Sequence, residues 1–488
     1  MLTSRTRGIA RTRALLLLGS FATLAALGAT ACTDSLLKAT DPDLIAPSDL
    51  DSPEGASALR IGALQRWRFS TGGDNTNGQE STWLTGGLLA DEWGTSSTFV
   101  QNDELDERRI QLNNATVTFD FRKLERVRTA VNQALPLMQK WNPTQTLQIA
   151  ELYLARGFAE MQLASDFCNG IPLSDASTAT SPTDIKFGDP LPVAQIFQTA
   201  ITTLDSGYKL LAVADTASDV GRAIKVTKAR ALLGIGGAAN VAAAAALMNG
   251  IPTSFKYQHT YAASSGSNAI WGQPNSGRRY NVGDSLEGNA HDILVKGQTP
   301  FFSSKDPRVP SKYTVSTNGK DTTKSQDGLT FSRTTSIWAQ ETPVDVTNGI
   351  DARLIEAEAA FVAGNYATAT TGTLAILNGL RAAAQTLGTV TVAANALPAL
   401  TDPGNDSARV SQLFREKAFW TFSRGQRLGD LRRLVRQDPY KTWYNVGNSF
   451  PSGTHYRGGT YGTDVNLPVP KDEENNNPKF HGCLDRNP

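Results

Sequence analysis

The sequence predicts a mainly α-helical body that carries long irregular loops, and three observations predict it. Apolar residues recur at intervals of three and four along several segments, small residues gather where such segments would pack closely, and residues 251 to 345, dense in Ser, Thr, Asn, Gly and Pro, interrupt them. The chain has 488 residues, with Lys+Arg 47 against Asp+Glu 46 and His 4. It is long enough for a large core, and its charge balance gives no reason to expect nucleic acid as a partner.

The N-terminus comes first in the chain and sets the compartment. Arg5, Arg7, Arg11 and Arg13 precede an apolar run, Leu15 to Leu18 with Leu24 and Leu27, that ends in Gly28-Ala29-Thr30-Ala31 before Cys32. A cationic start, a short apolar stretch and small residues are the layout of a secretory signal peptide, residues 1–31. Gly19, Ser20 and Thr23 break the run into pieces shorter than the roughly 20 residues a bilayer span needs, which disfavours a retained membrane helix. Small residues directly before Cys32 resemble the bacterial lipobox, which implies lipidation of Cys32; the pattern departs at Ala29, where a lipobox usually has Leu. The alternative is ordinary cleavage after Ala31, leaving Cys32 a free thiol. Removal of residues 1–31 takes four Arg and no acid, so 43 basic residues face 46 acidic ones, a net charge of −3. Residues 32–54, rich in Asp, Ser and Pro, read as a tether.

Residues 55–250 read as an N-terminal helical part. In WNPTQTLQIAELYLARGFAEMQLASDF, Asn142 is placed as an N-cap and Pro143 at the first helical position. Next, Val193, Ile196, Phe197, Ala200, Ile201, Leu204, Tyr208 and Leu211 form one apolar stripe. VTKARALLGIGGAANVAAAAALM follows, with small residues suited to close helix packing. Its 18 uncharged residues, Ala231 to Met248, are too weakly apolar to be read as a membrane span. GIGG lacks the strand and spacing of a phosphate loop. Residues 346–488 form the C-terminal part. There, DARLIEAEAAFVAGNYATATTGTLAILNGLRAAA reads as helix, short turn at Gly364-Asn365, then helix. Its G-x-Y-x-x-A resembles tetratricopeptide units, whose stacked hairpins bury a face that no single hairpin can. The span 251–345 is the loop-rich insertion and the candidate ligand face.

The C-terminal part also holds FREKAFWTFSRGQRLGDLRRLVRQ (414–437) and YGTDVNLPVPKDEENNNP (461–478). These are similar to the SusD/RagB family of bacterial outer-membrane lipoproteins, with an Arg-Glu start to a helix, a Gly-x-Arg-x-x-Asp-Leu-x-Arg run, and Leu-Pro-x-Pro followed by Glu and Asn-Pro. Arg415, Glu416, Gly425, Arg427, Asp430, Leu431, Arg433, Leu467, Pro468, Pro470, Glu474, Asn477 and Pro478 match. DPRVP at 306–310 adds to the resemblance. It implies a SusD-like scaffold of four tetratricopeptide-like hairpins with long loop insertions. Chemically the motif reads as scaffold: Leu428, Leu431, Leu434 and Val435 make a helical stripe, and Arg427, Asp430 and Arg433 are spaced to pair along or between helices. Phe419 and Trp420 read as core.

The resemblance implies a surface protein that captures an oligosaccharide, or a peptide, and passes it to a SusC-like TonB-dependent transporter. It implies an outer-membrane, lipid-anchored position facing the exterior, no catalysis and no cofactor. A glycan site needs flat aromatic faces and polar side chains for hydroxyl groups. Two regions meet that need: Trp83, Trp93 and Phe99 beside Asp91, Gln101, Asn102 and Asp103, and Trp271, Asn275, Arg279, Tyr280 and Trp338. The candidate ligand residues are Trp93, Phe99, Asn102, Trp271, Arg279, Tyr280 and Trp338, with Trp93 and Trp271 foremost. For each tryptophan, burial as a loop anchor is the competing reading. Cys168 and Cys483, in an exported chain where oxidation is permitted, are candidates for a disulfide. The scattered histidines, His259, His291, His455 and His481, give no metal-ligand spacing.

Two rival functions have a foothold. Gly283-Asp284-Ser285-Leu286 spells the GDSL tetrapeptide of an esterase family, but RRYNV precedes it and no histidine follows an Asp at Asp-x-x-His spacing. Ser285 then lacks a base to activate it. Alternatively, a tetratricopeptide-like array serves as a protein-interaction scaffold without a small ligand.

Overall fold

The periodic segments become a run of helices that each bury one face on the next. In a computed structural model, which describes residues 50–76, 80–316, 319 and 322–488, residues 53–488 form one compact unit. The leader, Cys32 and most of the tether lie outside the described residues. The N-terminal part holds α1 (Pro53–Thr71), α2 (Thr82–Leu89), α3 (Val100–Asp106), α4 (Ala115–Trp141), α5 (Thr146–Asp166), α6 (Val193–Tyr208), α7 (Asp219–Ile235) and α8 (Ala238–Leu247). A loop-rich span with the short α9 (Ala269–Trp271) follows, then α10 (Gly349–Val362), α11 (Thr373–Ala382), α12 (Asp406–Trp420), α13 (Arg427–Arg436), α14 (Val446–Ser449) and α15 (Lys471–Asn476). α1 packs on α4, α4 through α7 pack each on its successor, and both α8 and α11 pack on α10. The α6 stripe faces inward from Val193 to Leu204, while Tyr208 and Leu211 are only partly covered.

Three local expectations need correction. Asn142 does not begin a helix: α4 runs through Trp141, the Asn142 N–H closes it on the Met138 carbonyl at 2.9 Å, and α5 starts three residues after Pro143, at Thr146. The Ala231–Met248 stretch is two helices, because Gly236 and Gly237 take φ of +83° and +84°, where glycine carries no Cβ penalty. Among the described residues no helix is long and apolar enough to cross a membrane. The turn after α10 extends over residues 363–372, since Tyr366 is drawn into the core against Phe361 and the Thr-rich stretch behind it is a poor helix former. Arg415 and Glu416 lie in the closing turns of α12, not at its start.

The 414–437 motif and DPRVP meet inside the scaffold, and the 461–478 motif docks on the end of α5. Arg308 donates to Glu416 at 2.7 and 3.2 Å and to Asp306 at 2.7 and 2.9 Å, and Arg381 also donates to Glu416 at 2.7 Å. Glu358 of α10 receives Lys417 at 2.6 Å, Arg433 and the Tyr440 hydroxyl at 2.9 Å, while Asp430 pairs with Arg433 at 2.6 Å and Lys417 at 3.0 Å. The motif residues thus pair both along α13 and between helices. Gly425 is required twice over, by φ of +64° and because a Cβ there would lie 2.0 Å from Cδ1 of the buried Trp83. Leu467 exchanges backbone hydrogen bonds with Asp166 and Cys168, both 2.8 Å, and Cys168 is disulfide-bonded to Cys483. That staple ties the C-terminal segment to the end of α5.

The span 251–345 is built mainly from short antiparallel strand pairs, with one helical stretch over residues 269–276. Lys256–His259 pairs with Val344–Asn348, Ser311–Tyr313 with Arg333–Thr335, and Tyr280–Val282 with the distant Trp93–Thr95. The last pairing matters for function. It brings the early and middle loop regions together.

Candidate functional site

The Trp93–Thr95 and Tyr280–Val282 strands place Thr95 opposite Tyr280, and the Ser96 N–H continues the contact onto the Arg279 carbonyl at 2.9 Å. Phe99, the residue before α3, consequently stands over Arg279. The guanidinium carbon lies 4.6 Å from the ring centroid, and Phe99 is 42% exposed. Arg279 donates through Nη1 to Gln273 at 3.1 Å and faces Glu80 at 3.7 Å, and its buried Nε has no protein partner among the described residues. Gln273 donates in turn to Asn75 at 3.1 Å. Burial foremost, with Asp120 nearby, raises Glu80 above the ordinary carboxylate value, against the hydrogen bond from the Tyr280 hydroxyl at 3.1 Å. An aromatic ring, a guanidinium, two amides and a carboxyl therefore share one patch.

The predicted ligand residues divide sharply. Phe99 and Arg279 meet in the patch, and the half-buried Trp271 precedes Gln273 by two residues, its carbonyl accepting from Asn275 at 3.0 Å. Trp93, Asn102, Tyr280 and Trp338 are interior, at 0, 0, 0 and 5% exposure, and offer no face to a ligand in this structure. Trp93 packs on Phe422 with centroids 5.1 Å apart, and Trp338 donates to the Ser423 hydroxyl at 2.7 Å. Both anchor loops to the segment joining α12 to α13. Trp83 and Asp91 are buried too.

Sequence reasoning missed a second aromatic group. His291 stacks on Phe302 with centroids 5.8 Å apart, Tyr313 stands edge-on to Phe302 at 4.9 Å, and Lys324 lies 3.9 Å from the Phe331 centroid. Leu329, close by in the chain, is 65% exposed. The signal was present in SKYT and LTFSRT, short apolar-polar alternations bounded by turn residues, but nothing local showed that they would face each other. His291 is also the histidine nearest Ser285 in the chain. Its Nδ1 faces the Leu286 carbonyl at 3.1 Å and its Nε2 the Tyr313 hydroxyl, so both nitrogens are engaged away from the GDSL serine.

Beneath this face lies a set of buried acids. Burial first, then Glu287 and Asp106, pushes Asp91 well above its ordinary value; burial pushes Glu92 up to about 8 and Glu287 up to about 6. Arg333 pairs with Glu287 at 2.8 Å, and the Ser423 N–H donates to Glu92 at 3.0 Å. His455 is held above its ordinary value: burial acts to lower it, and the hydrogen bond and charge of Asp106, 3.2 Å away, outweigh that. Among the described residues no cluster of His, Cys, Asp and Glu could hold a metal ion.

No protein-family model and no curated protein matches the chain. Solved structures do match. A SusD superfamily protein from Parabacteroides distasonis superposes with a TM-score of 0.60 at 15% identity, over 88% of this chain and 98% of that one. A SusD-like carbohydrate binding protein from Bacteroides vulgatus gives 0.55 at 12% identity, over 88% and 97%. Surface glycan-binding protein A from Bacteroides uniformis gives 0.56 at 12% identity, over 88% and 99%. Helix pairs carrying loop insertions, the motif network around Glu358 and Glu416, and these superpositions together identify the architecture of this chain as the SusD-like fold.

Proposed function

We propose that this protein binds a glycan through the loop face containing Phe99, Trp271 and Arg279, and hands it to a SusC-like TonB-dependent outer-membrane transporter. The observation that carries the reading is the stacking of Phe99 on Arg279 beside Gln273, Asn75 and Glu80. An exposed ring offers a face to sugar C–H groups, and the Arg279 guanidinium, held in place by the buried Gln273, together with Asn75 and Glu80 suits hydroxyl groups. Further support comes from solved proteins of the same fold that are described as carbohydrate-binding or glycan-binding. The leader ending at Cys32 supports an exported protein lipidated at that residue and anchored to the outer membrane, facing the exterior, with residues 32–54 as leash. Local tethering beside a transporter raises the effective concentration of captured ligand there.

The test is a binding screen of the purified protein against polysaccharides and peptides, read by tryptophan fluorescence and calorimetry. A polysaccharide should bind, and Phe99→Ala with Arg279→Ala should weaken it at least tenfold without unfolding the protein. Binding of peptides alone would replace the glycan by a peptide, and an undiminished affinity in the double variant would move the site elsewhere. Co-purification of a barrel protein after mild detergent extraction checks the transporter; recovery with soluble partners alone would favour the scaffold function.

A further inference from the structure

The helical body encloses a second polar site, away from the loop face. Residues of α5, α6, α7, α10, α12, α13 and the segment before α13 surround a cavity of about 40 Å³ whose wall includes Arg230, Asp351, Asp430, Arg432, Arg433 and Arg436. That is room for about three water-sized particles. Both carboxylates on the wall are already engaged: Asp351 receives Arg424 at 2.9 and 2.8 Å and Gln426 at 3.0 Å, and Asp430 receives Arg433 and Lys417. Arg230 and Arg432 are left over. Among the described residues neither forms an ion pair; the buried Nη1 of Arg230 and the Nε of Arg432 have no hydrogen-bond partner. Arg432 is 2% exposed, and its Nη1 reaches only the Ala164 and Ser165 carbonyls. Arg436, on the same wall, donates to the Gly234 carbonyl at 2.9 Å.

Asp351, Asp430 and Asp166 act on Arg230, and Asp166 and Asp485 on Arg432, only at a distance. A guanidinium remains protonated, and a buried one whose donors lack an anionic partner in contact is unfavourable. Burial lowers Arg230 to about 10 and Arg432 to about 9, the direction expected of cations short of anionic partners. A wider cleft, about 740 Å³, shares Gly234, Arg432 and Arg436 with the cavity wall and offers a route inward. We infer that the cavity binds a small monovalent anion of halide size, held by Nη1 of Arg230 and Nε of Arg432. The site is independent of the glycan face. Its ligand stabilises the helical body.

Bromide is the probe. Crystals of the purified protein grown in sodium bromide should show an anomalous peak in the cavity within hydrogen-bond reach of Arg230 and Arg432. In solution the Tm should rise by about 2 °C or more in bromide over gluconate at equal ionic strength. Arg230→Met and Arg432→Met should each abolish that dependence, whatever they do to the baseline Tm. The inference is overturned if the wild-type cavity carries no bromide peak, or if the bromide-dependent rise survives in both variants.

Discussion

The α10 network of the helical body and the loop face bury carboxylates in opposite ways, whereas Asp120, Glu125 and Asp166 on α4 and α5 are raised by burial like those of the loop face. In the helical body, burial alone would raise Glu358 and Asp351, but Arg433 and Lys417 beside the first, and Arg424 and Arg230 beside the second, hold both below the ordinary carboxylate value. Under the loop face, Asp91, Glu92 and Glu287 are raised, because burial outweighs the cations near them. The difference shows where charge was placed for rigidity and where it was tolerated. It also predicts two pH dependences of opposite sign.

For Glu358 and Asp351 the fold favours the ionised form, so their stabilisation is present above the ordinary carboxylate values and is lost as pH falls below them. For Glu92 the folded chain holds a proton that the unfolded chain releases near 4.3. Stability therefore declines as pH rises from there to about 8.

The largest expected effect breaks the helical side. Glu358→Gln removes the charge facing Lys417 and Arg433 and should cost about 3–5 kcal/mol in urea unfolding at pH 7; a loss below 1 kcal/mol would show that this network is not what separates the two regions. A comparable effect tests the loop side's own division. Trp93→Ala should cost about 3–5 kcal/mol, whereas Phe99→Ala, at an exposed ring, should stay within about 0.5 kcal/mol and act on binding. Equal stabilities of the two variants would refute the assignment of one ring to the core and the other to the surface. The smallest effect sharpens the electrostatic contrast. Glu92→Gln keeps an acceptor for the Ser423 N–H, so it should stabilise the fold by on the order of 2 kcal/mol at pH 8 and have little effect at pH 5. Matched unfolding curves at the two pH values check the sign.

Legibility differed between the same two regions. The α6 stripe, the pairing of Asp430 with Arg433 and the burial of Phe419 and Trp420 were all readable, because helical period places their neighbours within a few residues. Helix ends were harder: Asn142 has the right chemistry for an N-cap, and only the length of α4 assigned it to the other terminus. On the loop side, Trp93 sits among Asp91, Glu92 and Gly94, which suggested exposure. It is buried because Phe422 comes to it from the segment joining α12 to α13, and the helix beside it leaves room with Gly87, whose Cβ would lie 2.7 Å from the indole.

The sequence by itself determined the helical class, the repeat-like packing, the two C-terminal motifs and which cysteines had to be considered as a pair. Periodicity and composition are local, and they survive without knowledge of distant partners. Tertiary structure alone decided that Arg308 would reach Glu416, that Phe99 would stand over Arg279 while Trp93 turned inward, and that Arg230 and Arg432 would share a wall. Those outcomes depend on packing between segments far apart in the chain, where exposure and charge compensation are set by what arrives from elsewhere.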